Sequence, residues 1–112
     1  MVTIFEQGDI VYLDFDPQSG HAQNGRRPAL VSGNNLFNRG SSLTRVCPIT
    51  HTDRGHPVHL RLDERTRTDG VILCDQARML DLNSRHASFV ERAPEDISAE
   101  AVDMVIGFLE PK

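Results

Sequence analysis

Eleven of the twelve basic residues in the chain are arginine, and a planar guanidinium suits bidentate contact with phosphate oxygens better than the point charge of lysine. Ten of those arginines fall between positions 17 and 90, against six acids, and the same stretch holds all five histidines. A histidine with an unperturbed pKa near about 6.5 exchanges protons close to neutral pH. That stretch therefore carries the groups needed to hold a polyanion and move protons on it. Codon bias toward arginine would produce the same ratio, so the ratio alone does not choose a partner. Pro28 follows Arg27 directly, fixing its own φ and biasing Arg27 toward an extended backbone that would aim the side chain from a strand edge. Cys47, His51, His56, His59, Cys74 and Asp75 are metal-ligand types, but no tight CxxC or HxxxH pair recurs among them, and no metal site is expected.

These groups must be positioned by short strands. Asp9 to Phe15 is rich in β-branched and aromatic residues and ends at Pro17, Ser19 and Gly20, which predicts a strand and then a loop. The loop from Asp16 to Arg26 is longer than the two to five residues usual in hairpins, and loops of such length are commonly functional. Strands are expected at Pro28–Ser32, Leu43–Ile49, Val58–Leu62, Val71–Leu80 and Ala87–Glu91, divided by Gly, Asp, Asn and Pro. From Pro94 the period changes: Ile97, Ala101, Met104 with Val105, and Phe108 recur at helical spacing, and Asp96 or Ser98 can cap. The expected fold class is mainly β, a small and strongly bent antiparallel sheet or barrel closed by a C-terminal α-helix. Parallel βαβ units are disfavoured, since no helix-length segment separates the earlier strands.

At 112 residues, 38% hydrophobic and 25% charged, the chain is expected to be one globular domain over 1–112. Its longest apolar stretch, near Val102 to Leu109, is far short of the roughly 20 residues of a membrane span. Met1 to Asp16 has four acids and no Lys or Arg, which does not suit a signal peptide, and the cytoplasm is the expected compartment. Cys47 and Cys74 lie in apolar runs, where free buried thiols are the usual occupants. The formal net charge of −4 hides a segregation: residues 1–16 and 91–112 are each acidic by four charges and 17–90 basic by four. The acidic ends read as solvated faces, carried away from a basic groove in a dimer.

Gly8-Asp-Ile-Val-Tyr-Leu-Asp-Phe-Asp-Pro17, followed by Gly20-His-Ala-Gln-Asn-Gly-Arg-Arg-Pro-Ala-Leu-Val31, resembles the opening of the MazF/PemK toxin endoribonucleases. Cys47-Pro-Ile-Thr50, then Gly70-Val-Ile-Leu-Cys-Asp-Gln76 with Arg78 and Asp81, and Glu91-Arg-Ala-Pro94, are similar to the family's later blocks in the same order. The resemblance covers nearly the whole chain. It implies a dimeric, SH3-like β-barrel with a terminal helix, the CcdB/PemK-like toxin fold. It also implies metal-independent, sequence-specific cleavage of single-stranded RNA with no cofactor, and neutralisation by a cognate antitoxin whose extended C-terminal segment lies across the toxin.

Such cleavage uses the neighbouring 2′-hydroxyl as nucleophile, so a base must accept its proton, a cation must hold the charged phosphorane and an acid must protonate the leaving 5′-oxygen. By resemblance Arg27 is the cation, and the Thr50 hydroxyl binds a phosphate oxygen or positions the nucleophile. His21 and Asp75 are the proton-transfer candidates. Gln23, Arg26, Asn34, Gln76 and Arg78 are the expected RNA-binding residues. Many members carry glutamate where this chain has Ala22, and PemK carries arginine where Leu73 stands, so those positions supply no acid or base here. The rival readings are a CcdB-like gyrase poison and a non-catalytic RNA-binding module on the same fold.

Overall fold

The computed structural model describes residues 3–15, 25–35, 38, 43–52 and 55–109. Strand β1 (Asp9–Asp14) pairs antiparallel with β2 (Arg26–Val31), setting Leu13 opposite Arg27 and Asp14 opposite Arg26. Strand β2 therefore starts two residues before the expected Pro28, because β1 supplies pairing partners for both arginines. Strand β3 (Leu43–Thr50) lies on the other side of β2, with Ala29 opposite Pro48 and Val31 opposite Val46. Strands β4 (His59–Arg61), β5 (Val71–Leu73), β6 (Arg78–Asp81) and β7 (Ser88–Arg92) complete a seven-stranded sheet ordered β4-β5-β3-β2-β1-β7, with β6 also on β3. All pairings are antiparallel. The expected mainly β fold with a terminal helix is the one observed.

The expected single strand Val71–Leu80 is a correction: it is two strands, β5 and β6, joined by a 3-10 turn at Cys74–Gln76. Strand β3 explains the break, because its first half pairs β6 (Val46 opposite Arg78) and its end pairs β5 (Thr50 opposite Val71) along one edge. The turn carries the chain from one partner position to the other.

Both faces of the sheet are covered, so the central strands read as near-continuous apolar runs rather than alternating ones. On one face Ile10, Leu30, Cys47, Ile49, Ile72 and Cys74 pack against Ile97, Ala101 and Val105 of helix α1 (Glu95–Leu109). On the other, Val11, Leu13, Phe15, Ala29, Val31 and Val46 cluster with Phe5, Leu80 and Leu82. Each large side chain so buried contributes roughly 1.5–3 kcal/mol. Phe108, expected on the buried stripe of the helix, is 52% exposed; the face that meets the sheet ends at Val105. Cys47 and Cys74 are free and buried, as their apolar surroundings predicted. Their side-by-side thiols and their burial hold Cys74 protonated well above the usual thiol range. No helix among the described residues is long and apolar enough to cross a membrane.

The acidic N-terminal stretch is not the solvated face its composition suggested. Asp9 is buried, and its Oδ1 accepts from Arg92 at 2.7 Å. Asp14 takes Arg26 at 2.8 Å and His86 at 3.0 Å, contacts with His86 first and Arg26 next that hold its carboxyl below the ordinary value of 3.8.

Candidate active site

The β2–β3 ladder stops at Ala29 and Pro48. Pro28 has no N–H with which to extend it. Carried on by two residues, the same register sets Arg27 across from Thr50, and an open groove of about 390 Å³ lies between these strand ends. Arg27, Thr50, Thr52, His56, His59, Leu73, Asp75 and Gln76 line it. Arg27 is exposed, and its guanidinium makes no ion pair or hydrogen bond with any described residue. The Thr50 oxygen accepts weakly from the Thr52 N–H at 3.4 Å, which turns the chain out of β3 and leaves the hydroxyl hydrogen uncommitted among the described residues.

Gly70 makes this corner possible. Its φ is +119°, and a Cβ there would collide with the carbonyl of Thr50, so only glycine lets the chain entering β5 pass so close to the end of β3. From β5 the chain enters the 3-10 turn, whose buried Cys74 anchors Asp75 and Gln76 at the groove. Strand β4 sets His59 opposite Leu73, which brings His59 Nε2 to 3.2 Å from Asp75 Oδ1. The His59 side chain is 9% exposed and that of Asp75 37%, so a buried ring meets a half-open carboxylate. The ring of His56 lies 4.9 Å from that of His59, tilted by 43°.

Four expected residues thus line one groove: Arg27, Thr50, Asp75 and Gln76. His21 and Gln23, with Ala22, lie outside the described residues. Arg26 belongs to a different environment, bonded to Asp14 and stacked 4.9 Å over the Tyr12 ring, with its charge already matched. Arg78 lies 4.8 Å over the Phe15 ring. Asn34 borders a separate hollow with Gly33, Arg45 and Met79. His51 borders another with Arg61 and Asp69, so the histidines weighed as metal ligands are divided. Among the described residues no three His, Cys, Asp or Glu side chains converge as a metal site. Sequence reasoning missed Thr52, and it weighed His56 and His59 only as metal ligands. The His-x-x-His spacing was visible, but the β4–β5 register that aims His59 at Asp75 was not.

The chain matches, over residues 6–108, the family described as PemK-like, MazF-like toxin of type II toxin-antitoxin system. It is 41% identical over 104 residues to the endoribonuclease toxin ChpB of Escherichia coli (strain K12), covering 88% of each chain. To the endoribonuclease PemK of Escherichia coli it is 38% identical over 101 residues, covering 87% of this chain and 76% of the relative. The crystal structure of MazF (Form-I) from Deinococcus radiodurans superposes with a TM-score of 0.84 at 37% identity, over 96% of this chain and 97% of that one. A MazE-MazF complex (Form-II) from the same organism gives 0.82 at 32% identity, over 98% and 99%. With sequence blocks, sheet order and terminal helix in agreement along nearly its whole length, the chain belongs to the PemK-like, MazF-like toxins of type II toxin-antitoxin systems.

Proposed function

We propose that this chain, as a single toxin domain acting in the cytoplasm, is an endoribonuclease that cuts single-stranded RNA at short sequences without a metal and so arrests translation. Relatives 41% and 38% identical to it are named endoribonucleases. In the reaction a base takes the 2′-hydroxyl proton and O2′ attacks the adjacent phosphorus. The P–O5′ bond then breaks and the leaving O5′ receives a proton, giving a 2′,3′-cyclic phosphate and a 5′-hydroxyl. Arg27 holds the negative phosphorane oxygens through its fork. The Thr50 hydroxyl donates to a phosphate oxygen, Asp75 accepts the 2′-hydroxyl proton, and His21 serves the leaving oxygen. Gln76, with Gln23, Asn34 and Arg78, contacts bases or phosphates along the strand. DNA, lacking the 2′-hydroxyl, is not cut.

The observation that carries this reading is the shared groove: a guanidinium and a hydroxyl hydrogen that are both uncommitted among the described residues, and a carboxylate open to solvent, all border one space. The partners are RNA, a second copy of the chain and a cognate antitoxin with an extended C-terminal segment; a similar solved structure is a MazE-MazF complex. Incubating the protein with defined single-stranded RNA and EDTA tests the reading. Fragments ending in cyclic phosphate support it. Binding without cutting would mark an RNA-binding module, and neither outcome a gyrase-type poison.

A further inference from the structure

His59 has no part in the scheme above, yet its ring Nε2 lies 3.2 Å from the carboxylate that the scheme uses as base. A carboxylate on a short 3-10 turn, 37% exposed, can rotate about two side-chain bonds, and each unproductive rotamer lowers the fraction of encounters that react. The His59 ring cannot move as freely. It is nine-tenths buried, its backbone pairs with Leu73 across β4–β5, and His56 packs on it. The ring is the fixed partner and the carboxylate the adjustable one.

The other ring nitrogen indicates where the hydrogen is. His59 Nδ1 is buried and has no hydrogen-bond partner among the described residues, so a hydrogen there would be a buried donor without an acceptor. The ring hydrogen belongs on Nε2, which faces Asp75 Oδ1 at 3.2 Å, and the second carboxylate oxygen is left without a protein partner among the described residues. An apolar side chain of similar volume would fill the site with no orphaned nitrogen, so stability alone does not account for histidine here.

We propose that His59 is a positioning residue for RNA cleavage, holding one oxygen of Asp75 so that the other faces the nucleophilic hydroxyl in the groove with Arg27 and Thr50. The proposal rests on the nuclease reading above.

The test compares His59→Gln with His59→Asn, alone and with Asp75→Asn, on one defined single-stranded RNA. A glutamine amide nitrogen reaches the place of Nε2, whereas an asparagine amide stops near that of Nδ1. His59→Asn is expected to lower kcat by roughly 10- to 100-fold with little change in KM, the size of effect that misplacing a reacting group produces. His59→Gln should recover most of that loss at a similar melting temperature. In the Asp75→Asn background neither change should lower kcat further. Equal losses in the two variants, additive losses in the double variants, wild-type kcat in His59→Asn or undiminished cutting by Asp75→Asn would each overturn the proposal. Those results leave the nuclease reading intact so long as the wild type cuts and Arg27→Ala does not. RNA left uncut by the wild type overturns both.

Discussion

Arg27 differs from its neighbours in what its charge is free to do. Arg26, Arg65, Arg85 and Arg92 commit their guanidinium groups to carboxylates or backbone carbonyls, whereas Arg27 faces the groove with no such partner among the described residues. Arg27→Ala is therefore expected to fold and melt as the wild type does while losing roughly 2.7–4 kcal/mol of transition-state stabilisation, read as kcat/KM on a defined RNA. Thr50→Val keeps the branched shape that suits a strand and removes the hydroxyl. A hydrogen bond to a charged oxygen contributes about 1.5–3 kcal/mol, so its rate should fall roughly 10- to 100-fold. Comparing pH–rate profiles of His21→Ala and Asp75→Asn assigns the base, because the variant lacking it loses the acidic limb. These roles follow from residue chemistry and a matched motif. The groove-facing position of Arg27, the engaged state of Arg26 and the His59–Asp75 contact follow from strand register, which adjacent letters in the sequence do not express.

The groove depends on where strands stop. Pro28 ends the β2–β3 ladder, the Thr50–Thr52 turn ends β3, and Gly70 lets the chain entering β5 pass against the Thr50 carbonyl. Gly70→Ala would force an L-residue into a region it rarely occupies and drive a methyl group into backbone. A loss of about 2 kcal/mol or more is expected, seen as a melting temperature lower by roughly 8 °C or more. RNA cleavage should fall with it, because the displaced atoms belong to Thr50. Ile72→Ala removes a fully buried side chain shared by β5 and the helix-facing core and should cost about 2–5 kcal/mol in chemical denaturation. Strand existence was legible from β-branched runs and Gly or Pro breaks. The 3-10 interruption at Cys74–Gln76 was not, because the run opens with four apolar residues, Val71–Cys74, and only β3, exchanging one partner for another, requires the break.

The folded chain redistributes its charge. Acids of the two end segments are neutralised in space, Asp9 by Arg92, Asp14 by Arg26 and Asp96 by Arg65, which also pairs with Asp63 of the middle stretch. Hydrogen bonds from Arg65 hold the Asp63 and Asp96 carboxyls below the ordinary value of 3.8. At Glu91, burial pushes the carboxyl up, but bonds from Thr68 and Arg67 outweigh it and hold the group below 4.5. A depressed folded value means the contribution is complete above the ordinary carboxylate range and is lost as pH falls through the folded value. The urea midpoint should therefore be level from neutral pH to about 5 and decline below about 4. For the dimer, dilution below its dissociation constant should reduce activity per subunit if the RNA groove spans two copies.

Local chemistry was open to direct reading. Hydrophobic runs, the change of period at Pro94, free thiols in apolar surroundings and the motif that places Arg27, Thr50 and Asp75 in one family each depend on neighbouring residues. Folding alone brought His59 to Asp75, withdrew Arg26 from the groove by pairing it with Asp14, and left Phe108 exposed. The first two depend on which strand lies beside which, and in an antiparallel sheet that register joins residues a dozen or more positions apart through backbone pairing and shared burial; the last depends on where the helix leaves the sheet.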